Sequence, residues 1–159
     1  MQELTELLHR AYARLAEMGF RYYATHQTAE VTAQRCKAGE TFVAECDGKL
    51  VGTITLRFSQ DPKPNAQRPT LPAWYTKPGI MIFGQFAVEP ALQSTGLGSQ
   101  LLQLVENRAK ELQARELACD TAEGAAHLTD FYQKRGYRKV DEVQWETVNY
   151  KSVILSKTL

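Results

Sequence analysis

Residues 93 to 98 read Gln-Ser-Thr-Gly-Leu-Gly, between an apolar run, IMIFGQFAV, and a helix-like run, SQLLQLVENRAKEL. A helix N-terminus presents backbone N–H groups without internal partners and roughly half a unit of positive charge. Glycines just ahead of it let a ligand approach the backbone and permit dihedral angles that a β-carbon forbids. The residue types and spacing suit a pyrophosphate cradle, with an ordinary tight turn as the alternative. A Walker loop would end in Gly-Lys-Ser/Thr, but Gly98 is followed by Ser99 and Gln100. A dinucleotide fingerprint needs a third glycine, which is absent.

The elements that must position this turn follow from periodicity. Leu4, Leu7, Leu8, Ala11, Leu15 and Met18 recur at three- and four-residue spacing and stop at Gly19, which predicts an opening amphipathic helix. Thr28 to about Lys37 is a second, shorter helix capped by Thr28. In ETFVAECDGKLVGTITLRF the Asp47-Gly48 pair between two β-prone runs signals a hairpin. Residues 59 to 79 hold five of the six prolines and form a long loop carrying Trp74 and Tyr75. IMIFGQFAV is too uniformly apolar to have a solvated face and reads as a central strand.

After the glycine turn, Leu97, Leu101, Leu104, Val105, Arg108 and Leu112 mark one face of a long helix. ELACDT is another buried strand, and AAHLTDFYQKRGY is a helix closed at Gly136. YRKVDEVQW and YKSVILSKTL are two final β-rich runs. A strand–helix–strand unit at the centre implies a right-handed parallel pair within a mixed sheet, hence an α/β architecture with helices on both faces.

Composition narrows the function classes. At 159 residues, 43% hydrophobic and 23% charged, the chain suits one globular domain, 1–159, without repeats or linkers. A net charge of +1 gives no electrostatic case for nucleic acid or an anionic membrane as partner. No signal peptide or membrane span is read in the chain. The three cysteines, Cys36, Cys46 and Cys119, lack paired metal spacing, so no metal is expected and a reducing cytoplasm is.

The glycine turn is preceded by Val88-Glu89-Pro90, and FAVEPALQSTGLGSQLL resembles the acetyl-CoA-binding motif of the GNAT superfamily of N-acetyltransferases. DFYQKRGY resembles that superfamily's Phe-Tyr-x-x-x-Gly-Phe/Tyr segment, and the order of elements agrees over about residues 40 to 140. The resemblance implies a single-domain GNAT-like fold: a mixed, mostly antiparallel sheet with a central parallel strand pair. It implies transfer of an acetyl group from acetyl-CoA directly to an amine of a small molecule or peptide. The alternative is a non-catalytic acyl-CoA-binding module of the same fold.

Residue by residue, the backbone amides of Gln93, Ser94, Thr95, Gly96, Leu97, Gly98 and Ser99 would hold the cofactor's pyrophosphate. The main chain of Phe86, Ala87 and Val88 would pair with the pantetheine arm, and the strands around residues 86 and 119 would splay to admit it. A β-bulge in the first of these strands would aim an N–H at the thioester carbonyl. Tyr132 would serve as the acid for the leaving thiolate, since a phenol with a pKa of about 10 is protonated at neutral pH.

The chain also departs from the family pattern. Gln85 stands where many members carry a glutamate base, and Ala125 stands where an asparagine is common. Glu45, Glu89, Glu123, His127 and Asp130 are the remaining candidates for the base, and a water relay would need none of them. The family's usual first strand is missing ahead of the opening helix. The acceptor would enter from the face opposite the cofactor, with Trp74, Tyr75 and Trp145 either walling it by cation–π contact or filling the core. The C-terminal SVILSKTL is expected to expose a strand edge through which a homodimer could form.

Overall fold

The computed structural model describes residues 1–58 and 71–159, so the proline-rich part of the predicted loop at 59–70 lies outside the described residues. Helix α1 (Gln2–Glu17) turns Leu4, Leu7, Leu8 and Leu15 inward and ends at Gly19, whose φ of 91° allows the chain to reverse. Helix α2 (Ala29–Lys37) is capped as expected, the Thr28 hydroxyl accepting the Val31 N–H at 3.3 Å. Strands β1 (Glu40–Cys46) and β2 (Lys49–Phe58) form the hairpin. Asp47 and Gly48 both take positive φ, 50° and 74°, as a two-residue primed turn requires.

Strand β3 (Ile80–Val88) leads through the glycine turn into α3 (Leu97–Glu111) and then β4 (Glu116–Ala122). Helix α4 (Ala126–Gln133), β5 (Arg138–Val143) and β6 (Ser152–Thr158) complete the chain. The six strands are ordered β1-β2-β3-β4-β6-β5, and only β3 and β4 run parallel. No strand precedes α1 among the described residues.

The core lies on both faces of the sheet. Leu102, Val105 and Ala109 of α3 pack with Leu56, Phe83 and Leu117 on one face. Tyr75, Ile80, Ile82, Ala118 and Ile154 pack on the other. Each large apolar side chain so enclosed contributes about 1.5–3 kcal/mol. Leu104 departs from the predicted helix face: it is 42% exposed, and Leu102 takes the buried position.

Strand β6 corrects a second expectation. It pairs antiparallel with β4 on one side and with β5 on the other, so the C-terminal run has no free edge for a second chain. Its residues Ser152 to Ser156 are all buried, as a strand with neighbours on both sides demands.

Two irregularities prepare the site. The parallel ladder joins Ile80–Ile82 only to Glu116–Ala118, while β4 continues along β6 as far as Ala122. Beyond Ile82 the two parallel strands therefore separate. Opposite that gap the β2–β3 register slips: Thr53 faces Ala87 but Thr55 faces Gly84, leaving Gln85 and Phe86 against the single Ile54. This is a β-bulge, and Gln85 adopts a φ of 47° within it.

Candidate active site

The gap between β3 and β4 opens a cleft of about 590 Å³. Phe86, Ala87 and Val88 form one wall, Asp120 and Thr121 the other, and the glycine turn lies at its mouth. Helix α1 closes it from one face of the sheet with Tyr12, and α4 from the other with Phe131 and Tyr132.

Gly96 caps α3 at φ 96°, ψ −11°, with no side chain bonding the first-turn amides. Gln93 and Thr95 N–H groups are taken by the carbonyls of Pro90 and Leu92. Among the described residues no carbonyl accepts from Ser94, Gly96, Leu97, Gly98 or Ser99. A β-carbon on Gly96 would meet no atom within 4 Å. The turn is thus an open nest of donors at a helix N-terminus, which fits a pyrophosphate. Arg135 stands beside it, donating to Ser99 Oγ at 2.6 Å and lying 3.7 Å from the Phe131 ring centroid. Its side chain also lines the cleft, as does that of Arg14.

Deeper in, Tyr132 is 8% exposed and touches the rings of Phe83, Phe131 and Tyr137. Burial, with lesser help from neighbouring acidic groups, pushes its hydroxyl well above the usual phenol range, so it carries its proton throughout neutral pH. Tyr12 donates to the Phe86 carbonyl at 3.0 Å, tying α1 to the bulge. Tyr22 accepts the Ala122 N–H at 2.9 Å, meeting part of the backbone demand where β4 has left β3.

On the α1/α2 side of the bulge, Gln85 is buried and fully engaged. It accepts from Gln27 Nε2 at 2.9 Å and donates to Thr55 Oγ1 at 3.2 Å. Gln27 in turn accepts from Arg35 at 2.6 Å and donates to Thr32 at 2.7 Å. Arg35, Arg57, Gln85 and Asp120 line a second hollow of about 450 Å³ on this side. Asp120 lines both hollows and so marks the place where they meet. Tyr75 donates to its Oδ1 and Trp145 Nε1 to its Oδ2, both at 2.9 Å.

Most of the residues singled out in the sequence converge here. Phe86, Ala87, Val88, Gln93, Ser94, Gly96, Gly98, Ser99 and Tyr132 all line the cleft. Thr95 and Leu97 do not: the Thr95 hydroxyl turns back to the Leu92 carbonyl, and Leu97 packs on the core. Among the candidate bases only His127 reaches the cleft. Glu89 pairs with Arg10 at 2.7 Å, Glu123 with Lys139 at 3.5 Å, and Glu45 and Asp130 are exposed elsewhere. Ala125 is a buried cap of α4 whose amide bonds to Ala122.

The aromatic residues also have defined places. Tyr75 is wholly buried, and Trp74 is covered by Lys77, 3.7 Å from its ring centroid, so neither forms an open cation-binding wall. Arg35, Arg135 and Asp120 went unrecognised in the sequence. Asp120 alone left a signal there, a charge in the middle of the apolar strand ELACDTA.

A sheet split at its one parallel pair, with a donor nest at the following helix, defines an acetyltransferase of the GNAT class. The chain belongs to that family: residues 1–137 match the Acetyltransferase (GNAT) family. It is an acetyl-CoA-dependent enzyme, and the open amides of the glycine turn fit the pyrophosphate of that donor. Two relatives come from Bacillus subtilis (strain 168). S-(2-succino)cysteine N-acetyltransferase is 27% identical over 143 residues, covering 89% of this chain and 80% of the relative. S-alkylcysteine N-acetyltransferase is 29% identical over 139 residues, covering 85% and 71%. A GNAT family acetyltransferase from Elizabethkingia anophelis, solved with acetyl-CoA bound, shares the fold. Its TM-score is 0.61 at 19% identity, over 83% of this chain and 84% of that one.

Proposed function

We propose that this single-domain enzyme acetylates the α-amine of a small amino acid, of the thioether-bearing cysteine class on which its two relatives are named to act. The observation that carries this is the second hollow, where the guanidinium groups of Arg35 and Arg57 and the carboxylate of Asp120 share one wall system. Opposite charges at one site suit an acceptor carrying both an ammonium and a carboxylate. The acceptor enters from the α1/α2 side and the donor from the α3/α4 side.

Acetyl-CoA supplies the acyl group as a thioester. On this reading the amides of Ser94, Gly96, Leu97, Gly98 and Ser99 hold its pyrophosphate, aided by Arg135. Phe86, Ala87 and Val88 present their main chain to the pantetheine arm. The bulge at Gln85 and Phe86 sets a backbone donor beside the reacting carbonyl. Tyr132 holds a proton for the departing sulfur, and the proton shed by the attacking amine leaves through a water relay that also restores the phenol. Gln85 takes no proton; it braces Gln27, which braces Arg35.

The test is a panel of amines assayed with acetyl-CoA by thiol release, with product masses. S-alkylcysteines and S-(2-succino)cysteine are expected to be acetylated in preference to polyamines and peptide termini. Turnover of another amine with silence on every cysteine thioether would refute the assignment.

A further inference from the structure

Asp120 is a half-buried carboxylate at the junction of the two hollows. Among the described residues no lysine or arginine lies within ion-pair distance of it; its partners are the neutral donors Tyr75 and Trp145. A carboxylate offers about four acceptor positions, and these two bonds fill two of them. Burying a charge without a cation is costly unless something supplies one. Both donors are themselves fixed: Tyr75 is fully buried, and Trp145 packs on the same apolar cluster.

The surroundings are titratable but uncharged at neutral pH. Tyr12, Tyr22, Tyr75, Tyr150 and Cys119 all ionise at higher pH than usual, chiefly because they are buried, with the Asp120 charge adding to the effect. Arg35 and Arg57 are the cations on the wall of the acceptor-side hollow.

We infer that Asp120 is the anchor for the acceptor's ammonium group, held in place by Tyr75 and Trp145 as positioning residues. It binds the cation beside the split between β3 and β4, where the acyl group arrives from the other side. The inference rests on the proposed amino-acid acceptor for its choice of probes.

The experiment compares S-methyl-L-cysteine with 3-(methylthio)propanoate, the same skeleton without the amine. Each is titrated calorimetrically into the enzyme saturated with CoA, so that no turnover occurs. A charge-assisted bond is expected to favour the amine by about 10- to 100-fold. In Asp120→Asn the two ligands should bind alike, while CoA affinity stays unchanged. Should that variant lose CoA affinity through misfolding, Asp120→Ser, whose hydroxyl can still accept from a donor, gives the same comparison. Tyr75→Phe should weaken the amine only and leave the deamino compound unaffected, which a general structural defect would not do.

Retention of the preference without the carboxylate, absence of any preference in the parent, or failure of both probes to bind the parent would overturn the inference. If S-methyl-L-cysteine binds through Asp120 but no cysteine thioether is acetylated, the proposed function falls and the anchor stands. If thioethers are acetylated and Asp120→Asn keeps the preference, the anchor alone falls.

Discussion

Replacing Gly96 with alanine isolates the contribution of one backbone angle to donor binding. The glycine sits at φ 96°, and its would-be β-carbon meets no atom within 4 Å, so the substitution brings no clash with the protein. It brings the cost of a left-handed residue, about 1–2 kcal/mol. A stiffer unfolded chain offsets about 0.4–1 kcal/mol of that. The net loss of about 1 kcal/mol corresponds to a fall in Tm of about 2–4 °C for a domain this size.

Binding should suffer far more. The new methyl group stands in the space before the amides, and relaxation to negative φ would turn those amides away. Each bond from an amide to an anionic oxygen contributes about 1.5–3 kcal/mol, so losing two weakens CoA by roughly 100- to 10,000-fold. Gly98→Ala is the control. Its β-carbon would lie 3.5 Å from Phe86 and 3.6 Å from Val88, ordinary contact distances, and a change below about ten-fold is expected. Calorimetric titration with CoA, paired with thermal melts, reads both quantities. Parent-like affinity in Gly96→Ala, or equal weakening in Gly98→Ala, would refute the assignment of the pyrophosphate to this nest.

Tyr132→Phe should lower kcat about 100-fold or more with little change in CoA affinity, measured by steady-state kinetics and calorimetry. Because burial raises this phenol, the parent enzyme should show no loss of activity from Tyr132 ionisation up to pH 10. Arg135→Ala removes the bond to Ser99 and the cover over Phe131; the KM for acetyl-CoA should rise about ten-fold and become less salt-sensitive, with kcat at saturation unchanged. Lys139 and Lys151 hold the Glu142 carboxyl down at about 2, below its unfolded value of about 4.3. Its stabilisation is therefore present above about pH 4.3 and lost as pH falls toward 2, so Glu142→Gln should flatten the Tm–pH curve across that window. Parallel curves for parent and variant would refute this linkage.

What could be foreseen follows the range of the interactions. The Asp47-Gly48 turn, the Thr28 cap and the glycine stops at Gly19 and Gly136 are local, and their residues specify them directly. The glycine turn and Tyr132 belong to contiguous motifs, and the fold brings both to one cleft. The inner position of β6 has a partial signal in the sequence, three consecutive apolar residues, Val153-Ile154-Leu155, shorter than the run that marks β3 as central. Arg135 reaching Ser99, 36 positions away, depends on how α4 packs across the sheet and leaves no trace in the local pattern. The same holds for Tyr75 and Trp145, which look like loop aromatics until the fold closes both onto Asp120.

The short parallel ladder has a consequence for traffic through the molecule. Only Ile80–Ile82 and Glu116–Ala118 join β3 to β4, and past them the sheet is a partition with a doorway. On the proposed function, the two reactants that meet in that doorway would arrive from opposite rooms, and each could retreat the way it came. Neither the acylated product nor the spent carrier would then have to wait for the other to depart.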